Sequence, residues 1–275
     1  MDNRAIGYMD SGVGGLTVVK QALTQLPDEE IIYVGDTARM PYGPRPQAEV
    51  RDFTWQITNF LLEQDIKLLV IACNTATAAA LPDLQAKLSI PVVGVIQPGI
   101  DAALHSKNPR VGVIATEGTV NSGAYAQGLA SGKSDLVVEQ LAAPEFVTAV
   151  ETMDYQSETV AKIVENKLAY FKQHPVDTLI MGCTHFPLIE TFIGQAMGPA
   201  VTLIDAGAES INVVEKILAE QDLKHALSVA TKANRFYTTG SATHFGAIAK
   251  RWLEDDQLLV EGLAIKDDQV VLTNK

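Results

Sequence analysis

Cys73 and Cys183 are the only thiols in the chain, and both occur in runs of the same make-up. In each, an apolar stretch ends in a small residue, then Cys, then polar groups: Ala72-Cys73-Asn74-Thr75 after the run 67–71, and Gly182-Cys183-Thr184-His185 after the run 177–181. A thiol that only fills a core belongs within a strand or on a buried helix face. One placed just beyond a strand, among Asn, Thr and His side chains, reads as functional, and with no sign of export a disulfide is not expected. Two such thiols suit proton transfer. Inverting a tetrahedral carbon requires proton removal on one face and delivery on the other, hence two acid/base groups. The competing chemistry is a thiol hydrolase with Cys183 as nucleophile and His185 as base. Two residues apart along the chain is a poor arrangement for that, and it leaves Cys73 idle.

Short apolar runs at 5–9, 31–34, 68–72, 92–95, 111–115, 178–181 and 201–204 predict strands. Apolar residues recur every three or four positions at 16–26, 48–62, 155–171 and 211–218, which predicts amphipathic helices. This alternation is the pattern of a parallel α/β sheet, where ligands gather outside the carboxyl ends of the strands. Both cysteines fall there. The helix expected after each places the amides near Asn74-Thr75 and Thr184-His185 to face an anion, enough for two carboxylates. The same helix starts are expected to depress the thiol pKa. For Asn74, Thr75 and Thr184, ordinary N-capping is the alternative.

Two further loops converge on this edge, Asp10-Ser11-Gly12-Val13-Gly14-Gly15 and the segment 35–43. Thr17 stands where a dinucleotide fingerprint needs its last glycine, and no Gly-Lys-Ser/Thr follows, so neither a dinucleotide nor a phosphate loop fits. The glycines are read as allowing close approach of a ligand to the backbone. Breaks at Gln97-Pro98-Gly99 and Asp205-Ala206-Gly207 suggest a middle domain inserted in another. The division expected is 1–96 plus 207–275, carrying Cys73, and 97–206, carrying Cys183.

A formal charge of −12 and a pI near 4.8 set a field that repels phosphate backbones and anionic lipid, so neither nucleic acid nor membrane is an expected partner. The start of the chain lacks a basic region followed by an apolar stretch, and no run reaches membrane-span length. A cytoplasmic protein is expected. His105, His174, His225 and His244 have no partner at ligand spacing, so no metal is expected; Trp55 and Trp252 read as packing residues.

The runs 10–17, 33–37, 41–43, 72–77 and 182–188 closely resemble those of bacterial glutamate racemases. So do 94–99, 112–116 and 205–210, all in order along the chain, while the segment after about Gln221 carries no usable motif. The resemblance implies two similar α/β domains with mainly parallel sheets, one cysteine from each, and an active site in the cleft between them. It implies interconversion of L- and D-glutamate without a cofactor, Cys73 acting on the D enantiomer and Cys183 on the L. It further implies that Asp10 assists Cys73 and His185 assists Cys183, and that Asp10, Ser11, Tyr42, Gly43, Asn74, Thr75, Thr184 and His185 hold the substrate. Asp36 and Glu151 match acidic positions near such a site, with Glu151 equally readable as a solvated helix residue. A homodimer and a role in supplying D-glutamate for peptidoglycan complete what the resemblance implies. A sister racemase for aspartate or another amino acid, and a non-enzymatic amino-acid binding protein on the same scaffold, stand as alternatives.

Overall fold

The structure is a computed structural model that describes residues 1–106, 109–133, 135–226 and 233–273. Its strands are β1 (Ile6–Asp10), β2 (Ile31–Gly35), β3 (Leu68–Ile71), β4 (Val92–Gly94), β5 (Arg110–Ala115), β6 (Val137–Ala142), β7 (Thr178–Gly182), β8 (Thr202–Asp205), β9 (Arg235–Thr238), β10 (Val260–Lys266) and β11 (Gln269–Leu272). Between them run α1 (Leu16–Gln25), α2 (Gln47–Glu63), α3 (Asn74–Lys87), α4 (Ile96–His105), α5 (Glu117–Ser122), α6 (Ala124–Gly132), α7 (Pro144–Thr152), α8 (Glu158–Leu168), α9 (Glu190–Met197), α10 (Ala206–Glu220) and α11 (Ala242–Leu253).

These strands make two sheets, a seven-stranded one in the order β11-β10-β9-β2-β1-β3-β4 and a four-stranded one in the order β6-β5-β7-β8. All pairings are parallel except β10 with β11. Every residue of β1, β2, β3 and β7 is buried. Helices cover both faces of a parallel sheet, so its central strands need apolar side chains on both sides and read as unbroken runs. The run β2-β1-β3-β4 repeats in β6-β5-β7-β8. In each sheet the direction of strand addition reverses between the first and third strand of that unit, and each cysteine follows the third. That reversal is where open α/β sheets leave a crevice for ligands.

Gln97, Pro98 and Gly99 do not form a linker; they lie in the first turn of α4. A helix's first turn has no intrahelical acceptor for its N–H groups, so a proline there loses nothing. Asp205 likewise caps α10, accepting from the amides of Gly207 and Ala208 at 2.8 and 3.1 Å. The end of the chain, which carried no motif, returns to the seven-stranded sheet as β9, β10 and β11 beside β2. Among the described residues no helix is long and apolar enough to cross a membrane.

Candidate active site

Ser11, Tyr42, Gly43, Cys73, Asn74, Thr75, Cys183, Thr184 and His185 line one cavity of about 140 Å³. That is well below the range usual for drug-sized ligands and close to the size of an engineered cavity that takes benzene, so the occupant is a small molecule. Asp10 does not line it; the residue is fully buried at the end of β1, just behind. Three other polar residues not singled out from the sequence line the wall, Thr116, Glu117 and Thr148, the last from α7 together with Val147. Thr116 could have been found: it follows β5 at the same carboxyl edge as the rest.

Cys73 is the N-cap of α3. Its Sγ accepts from the Ala76 amide at 3.4 Å and faces Ser11 Oγ at 3.6 Å. The expected depression of its pKa does not occur. Burial pushes the thiol up to about 12, Asp10's charge adds to this, and the Ala76 amide and Ser11 oppose it. One amide at a helix start is outweighed by loss of solvent around a thiolate. Asp10 is itself lifted above the usual carboxylate range by burial, against the pull of His185 and the Gly12 and Gly15 amides. It accepts from Gly12 N at 2.8 Å and from Thr184 Oγ1 at 3.4 Å.

After Cys183 the expected helix, α9, does not start at once: the chain first makes a 3₁₀ turn, Phe186–Ile189. Pro187 has no N–H to return to Cys183 O; instead Phe186 N donates to that carbonyl at 3.1 Å, an i to i+3 closure. The turn brings His185 Nδ1 to 3.7 Å from Cys183 Sγ, while His185 Nε2 donates to Glu151 Oε1 at 2.6 Å. Glu151 is therefore no solvated helix residue: its side chain is nearly buried on α7, against the imidazole. Burial disfavours the charged ring, but the bonds to Cys183 and Glu151 prevail and hold its pKa well above the ordinary value.

Asp36 is fully buried outside the cavity wall. It accepts from Tyr42 OH, from Arg39 Nε at 2.7 Å and from Thr239 Oγ1 at 2.6 Å, which anchors Tyr42 and Gly43 and ties them to the end of β9. The loop glycines have a different reason from the one expected. A Cβ on Gly14 would collide with Thr184 and His185, and one on Gly15 would come within 2.6 Å of Asp10 and 2.8 Å of Tyr33. They admit the side chains of the site itself.

His105 Nδ1 lies 2.6 Å from Asp101 O, and His174 stacks on Tyr170 at 4.2 Å. Trp55 donates to Asp83 at 2.7 Å and Trp252 packs on Tyr155.

Fold and site together define an α/β protein that brings two thiols, one from each of two mainly parallel sheets, to one small cavity. Residues 6–214 match the family described as Asp/Glu/Hydantoin racemase, and the chain belongs to that family. A glutamate racemase of Carnobacterium sp. (strain St2) is 52% identical over 96% of this chain and 100% of its own. A glutamate racemase isoform from Bacillus anthracis superposes with a TM-score of 0.90 at 40% identity, over 98% of this chain and 100% of that one. The Francisella tularensis glutamate racemase, solved in complex with D-glutamate, gives a TM-score of 0.88 at 34% identity, over 96% and 98%.

Proposed function

We propose that this protein interconverts L- and D-glutamate by a two-thiol mechanism needing no cofactor. The observation that carries the reading is that Cys73 and Cys183, each at the carboxyl end of its own sheet, line the same small cavity. In this reading a thiolate removes the Cα proton from one face while the opposite thiol delivers one to the other, Cys73 serving D-glutamate and Cys183 L-glutamate. The Cα proton is weakly acidic, so the developing charge must be stabilised by donors in a site that excludes water. Asn74 and Thr75 with the α3 amides, and Thr184 with His185, would hold the carboxylates, with Ser11, Tyr42 and Gly43 contributing to holding glutamate. His185, held by Glu151, would share a proton with Cys183; Asp10 would act on Cys73 through its charge, having no hydrogen bond to that thiol among the described residues.

No lysine lines the cavity among the described residues, which supports independence from pyridoxal phosphate, a cofactor that is held through a lysine imine. The domain division 1–96 plus 207–275 and 97–206, with the cavity as the cleft between them, belongs to this proposal; what supports it is that β1–β4 and β9–β11 share one sheet and β5–β8 the other. A homodimer, a cytoplasmic site and supply of D-glutamate for peptidoglycan belong to the same proposal.

The test is proton exchange in D₂O, followed by NMR with each glutamate enantiomer and no added cofactor, for wild type, Cys73→Ser and Cys183→Ser. Racemisation with deuterium at Cα in wild type, and loss of turnover in both variants, is the expected result. Glutamate binding without exchange in the wild type would instead indicate a binding protein.

A further inference from the structure

Around the cavity, several contacts join residues belonging to different sheets. Tyr125, fully buried on α6 beside the four-stranded sheet, donates its hydroxyl to Asn74 Oδ1 at 2.7 Å. Asn74 directly follows Cys73. The ring of the same tyrosine lies against Gly182, which directly precedes Cys183, so closely that a Cβ there would stand 3.0 Å from Cε2. On the other side, Thr17 opens α1 beside the seven-stranded sheet. Its hydroxyl lies 2.9 Å from Gly14 O and 3.0 Å from Thr184 O, and Thr184 directly follows Cys183.

Each contact thus runs from the body of one sheet to the loop bearing the other sheet's cysteine. Burial raises the Tyr125 phenol far above its ordinary pKa, so it remains a donor across the working pH range. By occupying Asn74 Oδ1 it fixes the amide's orientation, leaving the NH₂ as the donor toward the cavity. Beside it, Thr75 Oγ1 meets Thr116 Oγ1 at 2.9 Å, and Gly43 O accepts from Gly118 N at 2.8 Å. These further bonds likewise join groups from the two sheets.

We propose that Tyr125 and Thr17 are reciprocal positioning residues, each holding across the cleft the loop that carries the other sheet's cysteine, and together fixing where the two thiols stand about the substrate carbon. This rests on the two-thiol racemase reading. Proton transfer requires close approach of donor and acceptor on both faces at once, and a displacement on the order of 1 Å can cost about a hundredfold in rate. No covalent link keeps two loops on separate sheets at that spacing; these hydrogen bonds restrain it.

The experiment compares wild type with Tyr125→Phe, which keeps the ring against Gly182, with Thr17→Val, which keeps the shape, and with Thr17→Ser, which restores the hydroxyl. Enantiomers have equal free energy, so kcat/KM must fall by one common factor in both directions; a loss of roughly tenfold is expected from one hydrogen bond in each of the first two variants. The discriminating readout is the primary isotope effect with α-deuterated substrate. A disturbed Cys73 loop makes transfer at Cys73 more rate-limiting. Tyr125→Phe should therefore raise the effect with D-glutamate and lower it with L-glutamate, Thr17→Val should do the reverse, and Thr17→Ser should behave as wild type. Unchanged rates, or isotope effects that move in the same sense in both variants as from general loosening, overturn the inference while wild-type turnover upholds the racemase reading. A wild type that exchanges no Cα proton overturns both.

Discussion

The two cysteine loops begin alike and end differently. Each leaves the third strand of a β2-β1-β3-β4-type unit through a small residue, yet Cys73 caps a 14-residue α-helix while Cys183 enters a 3₁₀ turn. The Cys73 thiol meets one amide and one hydroxyl, but burial and the charge of Asp10 outweigh them and leave it strongly protonated. Cys183 instead has an imidazole at 3.7 Å, itself backed by a carboxylate. Under the proposed mechanism, two thiols in unlike surroundings would act on opposite faces of one carbon. In that reading one loop serves as a proton store, the other as a proton relay.

The largest expected effect separates the two loops directly. His185→Asn removes the imidazole beside Cys183 and should lower kcat/KM by about two orders of magnitude, the usual scale for losing a positioned acid/base group. Ser11→Ala removes a contact at 3.6 Å to Cys73 Sγ and one proposed donor to the substrate, and should lower it roughly tenfold. Steady-state rates with both enantiomers measure the ratio. Equal losses would mean that the asymmetry between the loops has no catalytic consequence.

A smaller effect concerns what supports His185. Its folded-state pKa is raised, so the stability drawn from its charge is fully present below the unfolded value of about 6.5 and is lost as pH rises through the folded value. Glu151→Gln keeps a hydrogen-bond acceptor but removes the charge. The wild type should exceed the variant by about 1–3 kcal/mol near pH 6.5, which for a chain of this size corresponds to several degrees in Tm. The gap should narrow toward alkaline pH. A gap that is constant with pH would show that the imidazole is neutral in the folded protein.

Much of this frame was legible in the sequence, and for a definite reason. Strands β1, β2, β3 and β7 are buried at every position, so their apolar runs stand out, and the cysteines mark where two of them end. Strand β6 escaped because it lies at a sheet edge with Glu139 and Gln140 in mid-strand and no fully buried position. The β10–β11 hairpin escaped because its turn uses Asp267 and Asp268, both at positive φ, in place of the Asn-Gly or Asp-Gly signal of such turns. In the site, residues adjoining the cysteines could be read from their neighbours. Thr17 and Tyr125 reach their partners from 167 and 51 positions away, and no local spacing announces a contact made by the meeting of two sheets; Glu151 meets His185 from 34 positions away within the half built on the four-stranded sheet.

The smallest effect tests the proton store itself. A thiol that titrates near 8.5 in the unfolded chain and about 12 in the folded one binds its proton more tightly when folded. Its contribution to stability is fully present below about pH 8.5 and is lost as pH rises toward the folded value, at no more than about 1.4 kcal/mol per pH unit. Serine does not titrate in this range. The difference in unfolding free energy between wild type and Cys73→Ser should therefore shrink by about 1 kcal/mol between pH 8 and pH 9.5, read from denaturant midpoints at each pH so that other alkaline titrations cancel. A difference that stays constant over this range would mean that Cys73 ionises alike in the folded and unfolded chain. The contrast between a protonated Cys73 and a relay-linked Cys183 would then have to rest on His185 alone.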